Sequence, residues 1–110
     1  MLSSPARFKL EIYIPESHVP ALLEALAGAG AGVVGNYDHC ASLSAVTGTW
    51  RPLPGARPYD GEVGRLQQAP EIKVETSCPA ERIKDVLAAI RQAHPYEEPV
   101  VNILPLWFPE

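Results

Sequence analysis

Two short strings hold most of the chain's reactive side chains. His39 and Cys40 stand side by side in HCASLSAVTGTW, and a second thiol follows at Cys78. One imidazole and two soft thiols are a donor set for zinc or copper(I), provided the side chains converge. Neighbouring residues of an extended strand point to opposite faces, so His39 and Cys40 can share a target only if the backbone bends between them. The commoner fate of such cysteines is burial as small apolar groups. The second string, AHPYEEP at 93–99, sets His94 against Glu97 and Glu98 with Tyr96 between them. His94 and Glu97, three residues apart, offer an imidazole and a carboxylate to a divalent ion such as zinc, copper or nickel. A third ligand would come from His18, Glu16 or a neighbouring subunit. The plainer reading is a helix end, with His94 complementing the helix dipole, Pro95 blocking continuation and Glu97-Glu98-Pro99 turning the chain.

The alternation of side chains says which elements carry these strings. Phe8, Leu10, Ile12 and Ile14 alternate with Lys9, Glu11 and Tyr13, which predicts a half-buried strand stopped by Pro15. Val19, Leu22, Leu23 and Leu26 have helical spacing, with Ser17 as N-cap and Pro20 in the first turn. The glycines from Gly28 to Gly32 end that helix. Residues 42–50 read as a second strand, and Ile72, Val74 and Thr76, alternating with Lys73 and Glu75, as a third. Pro79 opens a second helix with the apolar stripe Ile83, Val86, Leu87 and Ile90. Val101 and Ile103 mark a fourth strand closed by Pro105.

The order βαββαβ is the ferredoxin-like, α+β arrangement: two helices on one face of a four-stranded antiparallel sheet. It fixes where the two strings go. With strand one running upward, His39, Cys40 and Cys78 fall at the lower end of the sheet. His94, Tyr96, Glu97 and Glu98 fall at the upper end, with Glu16, His18 and the long turn-rich segment 51–70. Within one subunit the strings do not meet. The upper cluster can form a polar pocket roofed by the 51–70 loop, where Arg51, Arg57 or Arg65 would face carboxylates or an anionic ligand. The uncovered sheet face, with Tyr13, Val46 and Trp50, reads as a subunit interface. Glu75, an acid in mid-strand, needs a partner there such as Lys9 or Lys73.

Bulk properties narrow the function. The 110 residues make one domain, 46% apolar and 20% charged, and the formal charge of −4 with no basic run argues against nucleic acid. The longest nearly uncharged stretch, Ala25 to Tyr37, is short and glycine-rich, so no membrane span is expected. The N-terminal MLSSPAR has no apolar core and no cleavage site, so the cysteines read as cytosolic thiols and the compartment as cytoplasmic. No Ser/His/Asp framework and no phosphate-cradling glycine loop is present, which points away from an enzyme.

The strings GVVGNYDHCASLSAVTGTWRP, GARPYDGEVGRL, EIKVETSCP and AHPYEEPVVNILPL together resemble the YqfO-type domain of NIF-three-like proteins, over roughly residues 7–106. That domain occurs as an insert in larger proteins and as a short free-standing one. The resemblance implies a single domain over 1–110 with a short tail at 107–110, and an architecture similar to PII and CutA proteins. It also implies a homo-oligomer, dimer or trimer. The implied function is a non-catalytic binding or regulatory module that holds a metal ion (zinc or copper) or a small anionic ligand near subunit boundaries. His94, Glu97, His39 and Cys40 are its candidate metal ligands; Tyr96, Glu98, Arg51, Glu75 and Trp50 are candidates for ligand or interface contacts. The alternative is an accessory part of a metal-dependent hydrolase of the GTP cyclohydrolase type 2 kind, working with a NIF-three-like partner. The flanking domains that carry that family's metal ligands are not in this sequence. Val46-Thr47-Gly48-Thr49 also departs from the family's Gly-Thr-Gly-Thr, leaving one glycine of two for close backbone approach.

Overall fold

The computed structural model describes residues 4–107; the start of the N-terminal string and the tail beyond Trp107 lie outside the described residues. Strand β1 (Arg7–Ile14) leads through a 3-10 turn (Glu16–His18) into helix α1 (Val19–Gly28). Strands β2 (Ser42–Trp50) and β3 (Gln67–Pro79) follow, then a second 3-10 turn (Ala80–Arg82), helix α2 (Ile83–Ala93) and strand β4 (Val101–Leu106). The sheet order is β2-β3-β1-β4 with every neighbouring pair antiparallel. This is the ferredoxin-like α+β fold that the alternation predicts.

One face of the sheet is dry because its residues recur with period two. Leu10, Ile12 and Ile14 of β1 and Val74 and Cys78 of β3 are buried against Val19, Leu22 and Leu26 of α1 and Val86 and Ile90 of α2. Each such side chain contributes about 1.5–3 kcal/mol by leaving water. The opposite residues line the open face. There Glu11 stands across from both Glu75 and Asn102, a like-charge pairing that would be unfavourable alone. Lys9 resolves it, lying 2.7 Å from Glu75 and 3.6 Å from Glu11, and Lys73 lies 3.3 Å from Glu11. Glu75 therefore has the partners expected of it. Register puts Tyr13, Val46 and Trp50 on this same face.

Four local expectations are corrected. Ser17 does not cap α1: the N-cap is His18, and the Ser17 hydroxyl bonds the His18 ring at 2.9 Å. The intervening 3-10 turn moves Ser17 back from the first helical amides. Pro105 does not close β4, which runs to Leu106; β4 pairs only with β1, so an edge position tolerates a residue with no N–H. His94 does not serve the helix dipole as a cation, since it is buried in extended backbone just past α2. The excursion after β2 ends at Leu66 rather than Pro70, because β3 starts at Gln67 and pairs with β2 through Pro70 opposite Thr47. Beyond Ile72 the pairing with β1 has ended, so Pro70 also sits where one edge of the strand is free.

At the lower end, the segment between α1 and β2 is pinned to β3. Gly32 N–H donates to the Ser77 carbonyl at 2.8 Å, Cys40 N–H to the Gly32 carbonyl at 2.9 Å, and the Thr76 hydroxyl to the Cys40 carbonyl at 2.8 Å. Gly32 has φ +79, and a Cβ there would stand 2.9 Å from the Cys40 carbonyl oxygen. Only glycine fits that approach.

Leu22→Ala is expected to lower the unfolding free energy by about 2–5 kcal/mol, since its cavity opens between α1 and the sheet. Tyr37→Ala, at a side chain 75% exposed, is expected to stay within about 0.5 kcal/mol. Urea denaturation followed by circular dichroism checks both.

Candidate ligand-binding site

The upper site grows from the stagger of β3. Residues 72–79 pair with β1, whereas 67–75 pair with β2, so the first turn of β3 and the end of β2 project as a two-stranded ribbon past the top of β1. The long loop 51–66 joins the ribbon's strands, and the AHPYEEP segment leaves α2 beside it. Together they enclose a cavity of about 660 Å³, whose lining includes Tyr13, Trp50, Tyr59, Glu71, Tyr96 and Glu97.

Glu71 lies at its centre. Only 7% exposed, it receives the Tyr96 hydroxyl on Oε2 at 2.8 Å. Its other oxygen, Oε1, lies against Gly48, and a Cβ at that position would collide with it. The glycine of the Val46-Thr47-Gly48-Thr49 string is thus the residue that gives the carboxylate its room. Burial, and then the bond to Glu71, push the Tyr96 hydroxyl far above its usual pKa. Tyr96 also contacts three other rings: His94 at 4.8 Å, Tyr59 at 5.8 Å and Trp50 at 6.1 Å between centroids.

The loop is held to this cluster by two bonds. Trp50 Nε1–H donates to the Asp60 carbonyl at 3.1 Å, and Arg57 N–H donates to Glu97 Oε2 at 2.9 Å. Of the three arginines expected to face the cavity, Arg51 lines it, Arg57 contributes its backbone amide, and Arg65 pairs with Glu62 inside the loop at 3.7 Å. Glu98 is exposed on the cavity's lining.

His94 is 6% exposed, and both its ring nitrogens are engaged. Nε2 lies 2.6 Å from the Tyr13 carbonyl, an acceptor only, so Nε2 carries the proton; Nδ1 accepts the Tyr96 N–H at 3.2 Å. Burial lowers its pKa, outweighing the bond to Tyr13. Neither nitrogen keeps a lone pair for a metal, and Glu97 is turned to Arg57. Among the described residues, no three His, Cys, Asp or Glu side chains gather around one point.

The lower end holds a separate arrangement. His39 supplies the bend that its string requires, with φ +57, and its ring meets Asp38 at 2.9 Å and Glu24 of α1 at 3.4 Å. Those two acids, Asp38 first, raise its pKa. Cys40 Sγ faces the Asp38 carbonyl at 3.7 Å, while Cys78 is fully buried in the core, its pKa raised by burial. Both cysteines are free thiols. The structure does not bring His39, Cys40 and Cys78 together. Glu75 belongs to the charge lattice of the open face, and the upper and lower cavities share no residue.

Sequence reasoning missed Glu71, Tyr59 and Asp60. Glu71 was accessible through parity: it falls on the same alternation as Lys73 and Glu75, which sets it beside Trp50 and Tyr13 on the open face. Tyr59 and Asp60 lie in a loop, where no period indicates direction.

A GTP cyclohydrolase 1 type 2 homolog from Bacillus subtilis is 42% identical over 98 residues, and one from Halalkalibacterium halodurans is 40% identical over 99. These alignments cover 89% and 90% of this chain but only 26% and 27% of the relatives, so the chain spans about a quarter of their length. The crystal structure of a Bacillus cereus protein related to NIF3 superposes with a TM-score of 0.81 at 35% identity, over 96% of this chain and 27% of that one. The chain matches the YqfO-type domain of NIF3-like proteins over about a quarter of their length. CutA from Archaeoglobus fulgidus, a periplasmic divalent cation tolerance protein, shares the fold at a TM-score of 0.67 and 12% identity, over 94% of this chain and 87% of its own. No family model matches the chain. Within the YqfO-type domain, the HPYEEP string supplies the site's Tyr96 and the glycine-threonine string its Gly48.

In the YqfO-type domain, Gly48→Ala is expected to cost about 1–3 kcal/mol by displacing Glu71. Glu71→Ala should cost about 1 kcal/mol for the lost Tyr96 bond. The double variant should lose less than the sum, because removing Glu71 removes what the new methyl strikes; a denaturation cycle reads this. The two histidines should also titrate apart. In ring-resonance NMR, His94 is expected as the Nε2–H tautomer with a midpoint below 6.5, and His39 with a midpoint above it. Because the unfolded chain takes the His94 proton more readily, the stability His94 contributes is complete above pH 6.5 and is lost as pH falls through its folded value. His39 acts with the opposite sign, its contribution present below pH 6.5 and lost as pH rises through its folded value.

Proposed function

We propose that this chain is a non-catalytic binding or regulatory module, folded as one domain over its length, whose ligand occupies the cavity at the upper end of the sheet. The observation that carries the reading is the convergence of three separate segments on Glu71 and Tyr96: the ribbon, the 51–66 loop and the AHPYEEP string. A volume of about 660 Å³ suits a small organic molecule. The expected metal at His94 and Glu97 has little support from this geometry, since His94 commits both nitrogens to backbone groups. The same commitment leaves it neither a free base nor a free acid, which favours binding over catalysis. An anionic ligand would find only Arg51 among the lining cations.

The module is read as a cytoplasmic homo-oligomer, dimer or trimer, assembled on the open sheet face. Lys9, Glu11, Lys73 and Glu75 give that face alternating charge, and Leu104 beside them is 39% exposed. A second reading is a part of, or partner to, a metal-dependent hydrolase. What favours it is the name of the relatives, GTP cyclohydrolase 1 type 2 homolog, and the quarter of their length that this chain spans.

Native mass spectrometry is expected to give a dimer or trimer, and the pair Lys9→Glu with Lys73→Glu to shift it toward monomer. A fragment set screened by ¹H–¹⁵N NMR should move the Trp50 indole signal, and Tyr96→Ala should abolish that response. A monomer would sink the assembly, and a fragment set that leaves Trp50 unmoved would sink the pocket reading. Recovery of a NIF3-like protein in stoichiometric complex would favour the second reading.

A further inference from the structure

We infer that the upper cavity selects a small organic cation, an amine or quaternary ammonium carried on a flat apolar body. The inference rests on the pocket reading above and names the ligand's chemical class.

Charge is the first argument. Asp60, Glu71, Glu97 and Glu98 line the cavity against the single cation Arg51. The second is the state of Glu71. A carboxylate 7% exposed, with one oxygen on Tyr96 and no hydrogen bond to the other from any described residue, has acceptor capacity turned toward Gly48 and the cavity wall. A buried carboxylate in that position gains most from a cationic donor.

The third argument is what the rings have left to offer. The Trp50 indole N–H is spent on the Asp60 carbonyl and the Tyr96 hydroxyl on Glu71. These residues therefore contribute ring surface to a ligand rather than donors. Trp50 and Tyr59 flank Tyr96 with centroids 6.1 and 5.8 Å away, and the negative face of such rings attracts ammonium groups. An anion needs donors, and here the ring donors nearest Glu71 are already committed. A bare metal ion would leave most of the volume unfilled. A cation with an apolar body satisfies the carboxylate, the rings and the volume at once.

Four probes of matched shape test this by calorimetry and by the Trp50 indole resonance: phenethylamine, phenethyltrimethylammonium, 2-phenylethanol and phenylacetate. The two cations are expected to bind at least about tenfold more tightly than the alcohol, with phenylacetate weakest. Glu71→Gln should remove the preference for the amine over the alcohol. Tyr59→Leu, at a side chain 55% exposed, should weaken the quaternary ammonium about fivefold. Equal binding of all four, or a preference for phenylacetate, would overturn the cation assignment while leaving the pocket in place. If none of the four binds, the cation assignment falls. The pocket reading falls with it only if the wider fragment set also leaves Trp50 unmoved.

Discussion

The site depends on one feature of the sheet, the offset of β3 between its two neighbours. β3 serves β1 with residues 72–79 and β2 with residues 67–75, so it carries both only over 72–75. Had the two ladders coincided, β2 and β3 would end level with β1, and there would be no wall at the upper end. The offset makes a ribbon, and the ribbon lifts Trp50, Gly48 and Glu71 above the core. It also lets Pro70 sit within a strand that is central elsewhere, because one of its edges is free at that point.

Into this space the chain delivers two buried polar groups that each need a partner. Glu71 takes the hydroxyl of Tyr96, and His94 gives its Nε2 proton to the Tyr13 carbonyl at the end of β1. The two are linked, since the Tyr96 amide donates to the remaining His94 nitrogen. One short string therefore ties the exit of α2 to β1 and to β3. A network of this kind is stable only when every member is satisfied. The second oxygen of Glu71 takes no hydrogen bond from any described residue, yet it is not a buried orphan, since it lies beside Gly48 where the cavity reaches it.

The rest of the molecule has little part in this chemistry. The lower end is held by backbone bonds around Gly32 and Cys40, with His39 turned outward to two acids and Cys78 lost in the core. The open sheet face balances its own charges through Lys9 and Lys73. Of the reactive residues most conspicuous in the sequence, His94 and Cys78 are buried, His94 with both ring nitrogens bonded to backbone groups, whereas His39 and Cys40 stand apart from them at the lower end.

Side-chain alternation was sufficient to give the four strands, the two helices and the βαββαβ order, because period 2 and period 3.6 are local properties of the backbone. The order alone then separated the two histidine strings to opposite ends of the sheet. It also sent Tyr13, Val46 and Trp50 to the open face, since parity is conserved along a strand. Ladder offsets are not local, and only the folded chain decided that β3 begins at Gln67 and that Glu71, rather than Glu75, is the buried acid. The proton on His94 and the need for glycine at 48 were likewise beyond the sequence. Each depends on an atom some 23 to 81 residues away along the chain, and no periodicity carries that information.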